Sequence, residues 1–344
     1  MGRGKEIKCV IWDLDHTLWQ GTLLEDETVH PQPGIREILT ELDGRGILHS
    51  IASKNAYEAA MDQLRAFELD HFFLYPEIHW NAKSTSIARI QKNLNIGMDT
   101  LLFVDDQPFE RDEVESQHPE VACVDAADYR TLLDQPRLNP RFITADSHRR
   151  RQLYVENIQR ERDEESYDGP KEEFLADLDM HFLIAEAAEE DLQRAEELTV
   201  RTNQLNATGV TYSYEELDAF RRSPDHWLLV CELTDRYGSY GKIGLALVER
   251  QDDYWHLKML LMSCRVMARG LGNVLLTYIM GEAKQQGVRL RADFRKTDRN
   301  RMMYISYRFN NFVQVEECGD GRTILENDLV SIQPFPPYLN IAVQ

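Results

Sequence analysis

The sequence predicts an α/β protein, with a parallel sheet covered by helices on both faces and a second, separate α/β domain after it. Three observations predict this. Residues 1–127 alternate short apolar runs with amphipathic stretches, the pattern of parallel strands joined by crossover helices. A densely charged stretch, 145–172, then ends in Asp-Gly-Pro and interrupts the pattern. Beyond it the strand and helix signals resume with different spacing. A chain of 344 residues is long for one core and comfortable for two. The expected organisation is a first domain over 1–144, a charged helical linker over 145–172 and a second domain over 173–344.

The elements follow in order. Cys9-Val10-Ile11-Trp12 reads as a strand buried on both faces, expected over 7–13. Further strands are expected at 47–52, 72–76, 100–105 and 121–125, with helices at 33–45, 56–67, 84–94 and 108–117. The linker reads as a solvated helix. In the second domain a helix is expected at 188–200 and strands at 226–234, 241–249 and 254–263. A helix at 271–286, a strand at 288–294 and a mixed segment complete the chain. Neither an internal repeat nor a low-complexity tract appears.

There are 59 acidic against 39 basic side chains, a formal charge of -20. This argues against a general nucleic-acid or anionic-membrane binder, since such surfaces need net basic patches. The apolar runs fall short of a membrane span, and the N-terminal stretch has no long apolar core of a secretion signal. The five cysteines, at 9, 123, 231, 264 and 318, form neither a CxxC pair nor a disulfide framework. Reduced thiols in a cytoplasmic protein are the expectation.

Carboxylates are costly in a core, so Asp13 and Asp15 belong at the exposed carboxyl end of the first strand, where open α/β sheets bind ligands. Ser53, Lys83 and the pair Asp105-Asp106 fall at the same edge. An aspartate can attack phosphorus and form an aspartyl-phosphate, and a second carboxyl two residues on can protonate the leaving oxygen and then activate water. Gathered carboxylates require a hard divalent cation. Asp13, Asp106 and the backbone carbonyl of Asp15 are the expected Mg²⁺ ligands, with Asp105 beside them. Ser53 would donate to the phosphoryl oxygens, and Lys83 would offset charge on nucleophile and phosphate. Thr17 and Asn55 join this set as substrate-binding candidates.

In this respect residues 5–127 resemble the haloacid dehalogenase superfamily, through Asp13-Leu14-Asp15-His16-Thr17, the strand-end Ser53, Lys83 and Asp105-Asp106. The resemblance implies that Asp13 accepts the phosphoryl group and Asp15 is the acid/base. The gaps of about forty and thirty residues between these motifs are used up by ordinary strand and helix. The site is therefore expected to lack an inserted cap domain and to stand open to a bulky or protein-borne substrate.

In the second domain, Tyr254 to Leu290 reads as an apolar strand, the loop Ala268-Arg269-Gly270-Leu271-Gly272, then an amphipathic helix. Backbone N–H groups at such a helix start can cradle a phosphate. The stretch resembles the acyl-CoA-binding segment of GNAT acetyltransferases, with Gly270 and Gly272 in place and Met267 where a Gln or Arg is usual. Cys264 ends the strand next to Arg265, a setting that lowers a thiol pKa. His256 lies on the same strand alternation.

Two flanking stretches, 197–209 and 294–312, join "SCRVMARGLG" and "FVDDQPFERDEV" in a wider resemblance, over about residues 5–315, to the FkbH-like proteins of polyketide assembly. Typical members carry glycine near Ala268 and Asn311. The resemblance implies a glyceryl transferase/phosphatase that takes a three-carbon unit from 1,3-bisphosphoglycerate, loads it on the phosphopantetheine thiol of an acyl carrier protein and dephosphorylates it to glyceryl-S-carrier. Cys264 would be the acceptor thiol, with direct attack by the carrier thiol as the competing route. Asn203, Gln204, Thr297, Asn300, Arg265, Arg269 and His256 are candidate contacts to substrate or carrier. The basic residues Arg289, Arg291, Arg295, Lys296, Arg299 and Arg301 are candidates to meet an acidic carrier or the substrate phosphates. One alternative is a Mg²⁺-dependent phosphatase fused to a conventional acyl-CoA N-acyltransferase; another is a non-catalytic carrier-binding scaffold.

Overall fold

Cys9-Val10-Ile11-Trp12 forms strand β1 (Cys9–Trp12), and all four side chains are fully buried. It is the middle strand of the first of two units in this computed structural model, Met1–Val155 and Glu156–Gln344. The structure describes residues 5–202, 205–263, 266 and 269–344. The division falls inside the charged stretch 145–172.

The first unit continues with a small hairpin, β2 (Trp19–Gln20) and β3 (His30–Pro31), then α1 (Ile35–Gly44) and β4 (Leu48–Ser53). Next come α2 (Tyr57–Ala66), β5 (Glu77–Ile78), α3 (Lys83–Leu94), β6 (Leu101–Asp105), α4 (Pro108–Gln117) and β7 (Ala122–Asp125). The helices α5 (Ala145–His148) and α6 (Arg150–Glu165) follow, α6 running across the division. The sheet order is β5-β4-β1-β6-β7, every pair parallel. Right-handed crossovers require the helices between these strands; the chain builds β4 and β5 on one side of β1 and then crosses back to β6 and β7 on the other, a switch point of the kind where ligands bind. Between Ser53 and Lys83 lie only α2, a 3₁₀ turn and β5, and between Asp15 and β4 only the hairpin and α1, so no cap domain is inserted.

The strand expected at 72–76 is absent. A 3₁₀ turn (Asp70–Phe72) and a single bridge from His49 to Phe73 replace it, and pairing resumes only at β5. Tyr75 takes a positive φ of 48° and Pro76 has no N–H to give a ladder, which together break the strand.

The second unit contains α7 (Lys171–Asp177), β8 (Met180–Glu186), α8 (Leu192–Arg201), α9 (Tyr214–Arg222), β9 (His226–Asp235), β10 (Gly238–Arg250) and β11 (Tyr254–Met262). It ends with α10 (Leu271–Gln285), β12 (Arg289–Arg295), α11 (Arg301–Phe309), β13 (Val313–Glu317), β14 (Arg322–Asn327) and β15 (Leu339–Val343). Its mixed sheet runs β13-β14-β12-β11-β10-β9-β8-β15. The parallel neighbours β11 and β12 pair only from Tyr254–Arg289 to Leu257–Ala292 and then part. Residues 205–207 fill the gap: Met262 N donates to Leu205 O (2.9 Å), Ala207 N to Leu260 O (3.0 Å) and Arg295 N to Ala207 O (3.0 Å). Asn300, fully buried, ties this insert down by donating to the carbonyls of Asn206, Ala207 and Arg295 at 2.9–3.3 Å. Asn311 ends α11 with φ 62°, the left-handed conformation that glycine favours and asparagine tolerates.

Helix α6 was expected to be solvated along its length, and Arg160 corrects that. Its guanidinium is buried, donates from Nε and Nη2 to both oxygens of Asp235 (2.8 and 2.9 Å) and lies 4.0 Å from the centre of the Tyr240 ring. A planar, delocalised cation is the one charge suited to a bidentate, stacked burial of this sort. Among the described residues no helix is long and apolar enough to cross a membrane.

Candidate functional site

Two strand ends and one helix start deliver the site. Asp13 follows β1, its N–H extending the ladder to Val104 O (2.9 Å). Asp105 closes β6 and Lys83 opens α3. Lys83 Nζ lies 2.7 Å from Asp13 Oδ1 and also donates to Asp105 Oδ2. All three side chains are buried, and Asp105 Oδ1 takes the N–H of Gln107 (2.8 Å), which fixes its rotamer at the start of α4.

Electrostatics follow from this crowding. Burial pushes the Asp13 carboxyl up to about 6, against the pull of Lys83 and with a further push from Asp105. Burial likewise raises Asp105 despite Lys83. Burial alone would lower the Lys83 ammonium, but the two carboxylates outweigh it and hold its pKa above the ordinary lysine value.

One carboxylate oxygen each from Asp13, Asp105 and Asp106 lies within 4.8 Å of the others, and Asp106 Oδ1 is buried with no hydrogen-bond partner. A buried carboxylate oxygen left without a partner is costly, and hard oxygens converging on one point are what a Mg²⁺ ion requires. The residues present therefore fit that cation. The Asp15 side chain stands outside this cluster. Its Oδ1 accepts from Trp19 Nε1 (2.7 Å) and Leu23 N (3.0 Å), and its Oδ2 from Asn55 Nδ2 (3.0 Å). A carboxylate offers about four lone-pair positions, so three donors leave one open, on Oδ2. Trp19 is a positioning residue that sequence reasoning missed; its only signal was an aromatic four residues beyond Asp15. Ser53 is buried at the end of β4. Thr17 is fully buried with an unpartnered Oγ1.

In the second unit, Cys264, Arg265, Asn203 and Gln204 lie outside the described residues, as do Met267 and Ala268. Gly270 precedes α10 with φ 69°, and an added Cβ at Gly270 or Gly272 would meet nothing within 4 Å. The positive φ, not crowding, is what asks for glycine at 270. Arg269 is spent on Glu164 (3.0 Å). His256 Nε2 lies 2.9 Å from Asp293 Oδ1, in a network with Lys258 and Arg322. Thr297 Oγ1 accepts from the N–H of Arg299 and Asn300, closing the turn that presents the Asn300 clamp. These four side chains are thus held by the fold itself. Of the basic residues expected to meet a partner, Arg289 and Arg291 pair with Glu326, Arg295 with Asp320 and Arg299 with Asp298.

Comparison with known proteins adds to this geometry. A haloacid dehalogenase-like hydrolase family model matches residues 18–124. The magnesium-dependent phosphatase 1 of Homo sapiens is 27% identical over 136 residues, covering 34% of this chain and 76% of that protein. The crystal structure of the N-terminal part of BF1531 from Bacteroides fragilis, containing a phosphatase domain complexed with Mg, is 32% identical with a TM-score of 0.32. The match covers 40% of this chain and 41% of that one, so this chain spans less than half of its length. The ribosomal-protein-S18-alanine N-acetyltransferase of Escherichia coli is 18% identical over 42% of this chain and 90% of that one, TM-score 0.33. The fold class is the expected one: a parallel α/β sheet in the first unit, where residues 18–124 match the haloacid dehalogenase-like hydrolase model, and a second, mixed α/β unit.

Proposed function

We propose that the chain is a bifunctional glyceryl transferase/phosphatase acting on an acyl carrier protein. The observation that carries the phosphatase half is the convergence of Asp13, Lys83, Asp105 and Asp106 at the carboxyl edge of one parallel sheet. Asp13 Oδ attacks phosphorus of the 3-phosphate, the bond from phosphorus to the C3 oxygen breaks, and Asp15 supplies the proton that oxygen takes up. Asp15 then removes a proton from water, which attacks the aspartyl-phosphate, releasing phosphate and restoring the Asp13 carboxylate. Ser53 and Lys83 hold the phosphoryl oxygens. Asp13, Asp106 and the Asp15 carbonyl, with Asp105 beside them, would hold Mg²⁺, which would supply the positive charge that a phosphate dianion needs to approach these acids.

The transferase half rests on the sequence around Cys264 and on the helix start at Gly270. 1,3-Bisphosphoglycerate is an acyl phosphate. A thiolate at Cys264 attacks its C1 carbonyl, phosphate leaves with the bonding pair, and a phosphoglyceryl thioester forms. The phosphopantetheine thiolate of the carrier then displaces the Cys264 thiolate. Cytoplasmic placement of the protein accords with such substrates and with unpaired cysteines at 9, 123, 231 and 318.

The test is to incubate the protein with 1,3-bisphosphoglycerate, Mg²⁺ and holo-carrier and weigh the intact carrier by mass spectrometry. A glyceryl adduct is expected. With Asp13→Asn the carrier should stop one phosphate heavier, at the phosphoglyceryl stage. With Cys264→Ala loading should cease; persistence would assign the attack to the carrier thiol. No adduct, together with turnover of an acyl-CoA and an amine, would replace this reading with the N-acyltransferase one.

A further inference from the structure

Lys83 is the first residue of α3, and what holds that helix start comes from elsewhere in the chain. The N-cap position is Ala82, whose side chain makes no capping hydrogen bond. A methyl group cannot accept from the unpaired N–H groups of a first helical turn. Glu113, on the second turn of α4 and 29 residues beyond Ser84, accepts instead. Its Oε2 takes the N–H of Ser84 (3.1 Å) and its Oε1 takes the Ser84 hydroxyl. His118 follows the last residue of α4, and its Nε2–H donates to the Ser84 carbonyl (3.0 Å). Ser84 is buried, and its N–H, hydroxyl and carbonyl are all tied to α4.

The same helix holds the carboxylate that Lys83 must reach. Gln107, at the N-cap of α4, gives its N–H to Asp105 Oδ1, and Arg111 Nη1 donates to the Asp105 carbonyl (2.7 Å). A lysine stem has four carbons and many rotamers, so its charge is well placed only where the backbone beneath it is fixed. Here that backbone and the Asp105 carboxylate are anchored to one rigid element.

We infer that Glu113 is a positioning residue of the phosphoryl site: with His118 it locks the first turn of α3 onto α4, so that the Lys83 ammonium meets Asp13 and Asp105 in register. This rests on the phosphatase reading above. Glu113 acts through Lys83 and takes no part in the bond changes at phosphorus. Its function is geometric, so glutamine can replace it. The glutamine carbonyl accepts the Ser84 N–H, and its amide donates to the Ser84 hydroxyl. Alanine offers neither, and a small displacement of a charge at a reacting centre is costly in rate.

The test measures kcat/KM of the full chain with Mg²⁺, using p-nitrophenyl phosphate and glycerol 3-phosphate as probes. Glu113→Ala should lower it roughly tenfold, and Glu113→Gln should stay within about threefold of the wild type. A double-mutant cycle with Lys83→Met then separates positioning from general support of the fold. Once Lys83 is gone there is no ammonium to misplace, so Glu113→Ala should cost less than about twofold in that background. Should Glu113→Ala fail to fold, His118→Ala leaves Glu113 in place and is read in the same cycle. Its loss of roughly threefold should likewise vanish without Lys83. Equal losses in the two backgrounds, no loss from either alanine variant, or a glutamine variant as poor as the alanine one would overturn the inference. Any of these with an active wild type leaves the phosphatase reading standing. A wild type that hydrolyses neither probe removes both, as does a Lys83→Met protein with full activity.

Discussion

Asp13 shows what a single buried carboxyl imposes on its surroundings. Raised to about 6, it binds its proton more tightly in the folded chain than in the unfolded one, where aspartate titrates near 3.9. The stability this lends the metal-free protein is full below about pH 3.9 and gone once the pH passes about 6. Above that range Asp13 is an anion ready for a cation. The rise in melting temperature on adding Mg²⁺ should therefore be larger at about pH 7.5 than at about pH 5; equal rises would contradict the assignment of Asp13 as a ligand. Lys83→Met removes the cation shared by Asp13 and Asp105 and should cost the metal-free protein about 3–5 kcal/mol in urea unfolding, part of it recovered by Mg²⁺. Phosphatase activity should drop roughly a hundredfold or more. An unaltered unfolding midpoint would mean the pair is not stabilising. Asp13 and Asp105 were legible in the sequence because each ends or follows an apolar strand signal, and Lys83 because it sits at the start of a helical pattern. Trp19 and Leu23 were not, since a donor to Asp15 from a short hairpin leaves no periodic trace.

Elements were readable in proportion to their burial pattern. β1 and most of β6 are continuous apolar runs, β4 is buried throughout although it carries His49, Ser50 and Ser53, and the positions of all three agree with expectation. β8 was not anticipated, although Met180, Phe182 and Ile184 alternate inward over seven residues; a single alternating strand after a charged helix is a short signal. Nothing local could announce the insert at 205–207, because its partners lie more than fifty residues away on β11 and at the end of β12. Its dependence on Asn300 is testable. Asn300→Ala leaves three buried carbonyls without that donor and should lower stability by about 1–3 kcal/mol. Glyceryl loading should fall while hydrolysis of a small phosphate ester by the first unit persists. Loss of both together would point to global unfolding instead.

At the scale of the molecule, the proposed function puts two chemistries with different needs on one chain. Thiol attack on an acyl phosphate calls for no metal, whereas the acids at 13, 105 and 106 do. Chelation with EDTA should consequently halt dephosphorylation and spare loading, so the carrier accumulates one phosphate heavier; a carrier left unloaded under EDTA would show that the transfer too depends on a cation. The charged stretch was legible from composition, but its inner structure was not. That stretch reads as solvent-facing because only composition speaks for it, and composition cannot reveal that one arginine in it turns inward to meet Asp235.

That arginine has a practical bearing on any effort to sever the halves. Gly169-Pro170 is where the sequence invites a protease or a truncation. A cut there would strand Asp235 as an interior anion robbed of its counter-ion, beside a Tyr240 ring facing empty space. The carboxyl-terminal piece should survive on its own only if the excision is made upstream, so that the helical segment bearing Arg160 travels with it.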